Sequence, residues 1–69
     1  MVLTIVQAKD FLKDNANDIL KMASSGNSIY VNIMSAIYHY NRAQNVYTER
    51  LVIEAAEAYI EEKRKKEGV

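Results

Sequence analysis

The chain has no cysteine, no proline and no tryptophan, and only two glycines in 69 residues. Without cysteine there can be no disulfide and no thiolate zinc site. A single histidine, His39, cannot build a multi-histidine metal site within one chain. Nothing in the sequence implies a cofactor. The absence of proline leaves helices uninterrupted by the strongest of the helix breakers. Nine basic and nine acidic residues cancel, which argues against broad electrostatic capture of nucleic acid. No apolar run reaches the 18 or so residues that a membrane span needs. The apolar start at Val2, Leu3, Ile5 and Val6 lacks a basic flank and meets Lys9 and Asp10 too soon for a secretory leader. A reducing compartment is compatible, and these absences together point to a soluble, cytoplasmic protein with no membrane partner.

What is present is globular in character: 49% of residues are hydrophobic and 26% are charged. A chain this short forms one domain, residues 1–69, and buries only about 60% of its unfolded surface. Ordering it costs on the order of 100 kcal/mol. With no covalent or metal staple, compact helix packing or a partner surface has to offset that cost.

Punctuation and periodicity divide the chain into three helical segments. The first covers residues 4–23. Thr4 and Gln7 form a capping-box pattern, and Ile5, Ala8, Phe11, Leu12, Ala16, Ile19 and Met22 share an arc of roughly 140°. Asp10, Asp14, Asn17, Asp18 and Lys21 lie opposite. A loop over residues 24–28 follows, with Gly26 as a natural stop. The second segment covers residues 28–43, capped by Asn27 or Ser28. The third covers residues 48–66, with Thr48 as its cap and Gly68 as a stop within a short flexible basic tail over residues 66–69. Arg50–Glu54, Glu61–Lys65 and Glu62–Lys66 are its i,i+4 charge pairs. Leu51, Val52, Ala55, Ala56 and Tyr59 make its main apolar face. The expected fold is an all-α three-helix bundle.

The second segment is unusual. Its polar residues Asn32, Ser35, His39 and Arg42 form one narrow stripe, while apolar residues occupy an arc of roughly 220°. Two neighbouring helices cover about half of such an arc. The excess around Ile29, Tyr30, Val31, Ile33, Met34, Ile37 and Tyr38 marks a dimer interface. A second copy, in a homodimer or a higher oligomer, is then the expected partner that completes the bundle, with another protein as the alternative occupant. Residues 28–33 are also rich in β-branched side chains and carry a competing strand signal. The stripe that runs on to Arg42 has helical period and favours helix.

Other features admit a chemical reading beside a plain one. Tyr38, His39 and Tyr40 suggest acid–base chemistry, but adjacent helical residues diverge and no convergent partner group is evident. No phosphate loop, nucleophile elbow or paired-ligand helix is present, and the chain is expected not to be an enzyme. Five tyrosines, at positions 30, 38, 40, 47 and 59, suit either an interface or the roof of a small core. Core packing is expected for Tyr59. Lys63, Arg64, Lys65 and Lys66 are candidate phosphate contacts, although complementarity to the helix dipole accounts for them without a ligand. Glu54, Glu57 and Glu61 form an acidic face that solvation explains.

Residues 45–61 resemble the second helix of ribbon-helix-helix DNA-binding repressors. The resemblance rests on Leu51, the Glu54-Ala55 pair, and Tyr59-Ile60 a turn later. It implies an intertwined dimer whose N-terminal strands read the major groove, and residues 28–34 would supply that strand. Residues 24–34, however, contain no lysine or arginine. Two shorter stretches, residues 4–12 and 54–61, are similar to helices of phage head–tail connector adaptors, and the segment between them departs from that pattern. The expected function is therefore a small non-enzymatic helical protein that self-associates through its second helix. A small DNA-binding regulator of the ribbon-helix-helix class is the alternative.

Overall fold

The computed structural model describes residues 3–67, with side chains through Lys65. These residues are all-helical, in four helices: α1 (Ile5–Asp14), α2 (Ala16–Ser24), α3 (Ser28–Arg42) and α4 (Val46–Glu67). The expectation of three helices is corrected at one point, because the first segment divides at Asn15. The segment read as strand or helix, residues 28–34, is helix.

Asn15 explains the division. Its backbone leaves helical values, at φ −110° and ψ 18°. Its side-chain amide donates to the Phe11 carbonyl at 2.8 Å, the carbonyl that its own N–H reaches at 3.2 Å. An asparagine that bonds back to the preceding turn competes with the helix ladder and bends it. The chain resumes at once, as the Ile19 N–H donates to the Asn15 carbonyl at 3.0 Å.

The helix ends are closed locally. Thr4 and Gln7 form the expected capping box, each side chain accepting the other's backbone N–H. At the end of α2, the Asn27 N–H donates to Met22 and the Gly26 N–H to Ala23. This is a Schellman motif, with Gly26 at φ +91° in the position that disfavours any side chain. The Asn27 carboxamide oxygen then accepts the Ile29 N–H at 3.0 Å and starts α3.

The start of α4 corrects a second expectation. Asn45, not Thr48, is the cap, and Thr48 is three residues inside. The Thr48 N–H donates to Asn45 Oδ1 and the Asn45 N–H to Thr48 Oγ1, both at 3.0 Å. The Thr48 hydroxyl is buried and donates across the turn to the Ala43 carbonyl at 2.6 Å. The turn between α3 and α4 is thus held by one threonine. At the other end of α4 the backbone is helical to Glu67, so residues 66 and 67 do not form the expected tail. The Lys66 side chain, the Gly68 stop and the end of the tail lie outside the described residues. Among the expected charge pairs, Lys65 meets Glu62 at 3.6 Å rather than Glu61.

The helices contact in a ring: α1 with α2 and α4, and α3 with α2 and α4. The core is formed by Ala8, Leu12, Ile19, Tyr30, Ile33, Ala36, Tyr40, Val52, Ala55, Ala56 and Tyr59. Ala55 and Ala56 of α4 are buried as small residues on a packed face, which lets helices approach closely.

Replacing Thr48 by Ala removes the hydroxyl that accepts the Asn45 N–H and donates to Ala43, while the backbone N–H of residue 48 can still donate to Asn45 Oδ1. The expected cost is about 1–2 kcal/mol, read as a lower urea midpoint. Thr48→Ser keeps the hydroxyl and is expected to recover most of that loss.

Candidate interaction surface

The seven α3 residues expected at an interface do not stay together. Tyr30 and Ile33 are buried in the chain's own core, at 0% and 1% exposure. They are corrected from interface to core. Ile37 and Met34 are half-buried and pack against that core. Ile29, Val31 and Tyr38 remain exposed, at 36%, 46% and 55%. Helical geometry then separates them: Val31, Met34 and Tyr38 recur at three and four residues and share one stripe, whereas Ile29 lies well around the helix. Ile29 instead lines a shallow groove of about 370 Å³ between α3 and α4, with Ala36, Leu51 and Ala55.

Tyr38 is held in place. Arg42, one turn further on, donates from Nη1 to the Tyr38 hydroxyl at 2.8 Å. Its guanidinium carbon lies 5.6 Å from the centre of the Tyr38 ring. The His39 ring packs edge-on to Tyr38, 5.9 Å between centroids. His39 is exposed. Tyr40 turns inward and is capped by the Lys9 amine 5.5 Å from its ring centre. Tyr40 thus points into the core, away from Tyr38 and His39, whose rings meet at the surface.

The basic run at the end of α4 is also divided. Lys63 reaches back to α2, pairing with Asp18 at 3.4 Å and lying 5.8 Å from the Tyr59 ring centre. Lys65 pairs within its own helix, and Arg64 is exposed. Among the described residues, no group of three or more histidines, cysteines or carboxylates could hold a metal ion. No described helix is long and apolar enough to cross a membrane.

One polar cluster escaped the sequence reading. Tyr59 is 1% exposed, yet its hydroxyl donates to Asp18 Oδ2 at 2.5 Å, with Asn15 Oδ1 at 3.4 Å. Its ring meets Phe11 at 5.5 Å and Tyr30, edge-on, at 5.8 Å. Asp18 looked like part of a solvated face, but beyond the bend at Asn15 it meets Tyr59 and Lys63 of α4. The run Asp14-Asn15-Ala16-Asn17-Asp18, with four residues that favour caps and turns, was the available signal.

Comparison with protein-family models, curated proteins and solved structures gave no match to this chain.

Burial raises the pKa of the Tyr59 hydroxyl first, and the hydrogen bond to Asp18 and that carboxylate's charge raise it further. Folding therefore favours the protonated phenol. That contribution is complete below the ordinary tyrosine pKa of about 10 and is lost as pH rises through the higher native value. Tyr59→Phe is expected to cost about 1–2 kcal/mol at neutral pH. Above pH of about 10, urea midpoints should fall more steeply for the natural protein than for the variant.

Proposed function

We propose that this chain is a small non-enzymatic interaction protein that self-associates through α3. The observation that carries this reading is the exposure of Val31 and Tyr38, with Met34 between them, on a helix whose other face is packed. The stripe is neutral apart from Arg42 at its end. The chain as a whole has a formal net charge of zero, so no long-range repulsion keeps two copies apart. A two-fold axis across α3 sets the Val31 end of one copy against the Tyr38 end of the other, a self-complementary arrangement.

Tyrosine and arginine are the residue types that dominate binding energy at interfaces. A Tyr38 already fixed by Arg42 has less side-chain entropy to lose on contact. The stripe is short against the roughly 800 Å² per partner of a standard interface, which suits an association that depends on concentration.

Sedimentation equilibrium from micromolar to millimolar protein tests the reading. The weight-average mass is expected to rise toward twice the monomer mass. Val31→Glu and Tyr38→Glu, both on exposed sites, are expected to hold it at the monomer while the helical circular dichroism is unchanged. A monomer mass at every concentration for the natural chain overturns the proposal.

A further inference from the structure

A second surface feature lies away from the Val31–Tyr38 stripe. An open cleft of about 440 Å³ runs between α1 and the start of α2 on one side and α3 and α4 on the other. Its volume falls within the roughly 300–1,000 Å³ of small-molecule pockets. The floor is apolar, formed by half-buried Ile37 with the core residues Leu12, Val52 and Tyr40, each 9% exposed or less.

The rim is not symmetric in charge. Lys9 and Lys13, one turn apart on α1, both border the cleft, with Asp10 as the single carboxylate and Asn41 as a neutral amide on the opposite side. Among the described residues neither lysine makes an ion pair. The Lys9 amine lies 5.5 Å from the centre of the Tyr40 ring, so its charge is held over the cleft's aromatic wall. The rim keeps one net positive charge beside an apolar floor.

We infer that this cleft binds a small carboxylate with an apolar tail, the carboxylate between Lys9 and Lys13 and the tail on Leu12, Ile37 and Val52. The tail gains by leaving water, which supplies most of the affinity. The lysines supply sign selectivity, because an exposed ion pair adds only a modest energy. An amine of the same length would meet two like charges and one carboxylate. The inference does not depend on self-association.

Octanoate, below its micelle concentration, is the probe, with carbon-detected methyl signals of Leu12, Ile37 and Val52 as the readout. Saturable shifts at these methyls are expected with octanoate and much smaller ones with octylamine. Lys9→Gln and Lys13→Gln are each expected to weaken octanoate about two- to fivefold. Lys21→Gln, on an exposed site of α2 outside the cleft, is expected to leave it unchanged. Absence of shifts, equal shifts with octylamine, or octanoate binding indifferent to both cleft lysines overturns the inference. Circular dichroism of each variant confirms that the fold is retained.

Discussion

The side chain of Tyr59 is the point on which the helices converge. From α4 its ring meets Phe11 of α1 and Tyr30 of α3, and its hydroxyl reaches Asp18 of α2. A buried phenol is costly unless its hydroxyl finds a partner. Asp18 meets that need while staying partly exposed, so its own charge keeps contact with water. Lys63 closes the arrangement from outside. One residue thus combines a large apolar area with a directional bond, and the directional part ties α2 to α4, two helices that do not pack directly on each other. In a chain too small for a deep core, that combination replaces the covalent staple that a cysteine-free sequence cannot have.

The bend at Asn15 is the other half of this constraint. A straight helix over residues 4–23 would present one face to one groove. Divided, it sends α1 against α4 and α2 against α3. That second contact covers part of the wide apolar arc of α3. Tyr30 and Ile33, which seemed to require a partner, are buried by the chain's own α2 and α4. The surface left for another molecule is correspondingly narrower than the sequence pattern implied.

Much of the architecture was legible because it is written in short-range chemistry. Thr4 and Gln7, Gly26 with Asn27, and the apolar spacing of α3 and α4 each carry their meaning within a few residues. The parts that were not legible depend on distance in space. Asp18 and Tyr59 are 41 residues apart, and neither position signals the other. The cap of α4 was misplaced for a subtler reason. Asn45 and Thr48 are both good caps, and the reciprocal geometry puts the asparagine first and the threonine third. For the tyrosines, residue type alone could not separate core from surface. Tyr30 and Tyr38 are eight residues apart, about 80° around a helix, and that angle takes one inward and leaves the other outward.

That angle also sets the surroundings of Tyr38. Tyr38 contributes little to the core, since more than half of it is exposed. An idle exposed tyrosine would sample several rotamers. Here Arg42 holds it by a hydrogen bond and a ring contact, and His39 packs against its edge. These contacts lie outside the core and therefore add little to stability, given the modest worth of exposed interactions. What they do supply is order at a side chain with a large apolar face. Order of that kind lowers the entropy lost when the face is covered. The physical economy of α3 is thus divided by face: one face secures the fold, and the other is exposed, with Tyr38 held in place by its own neighbours on the helix.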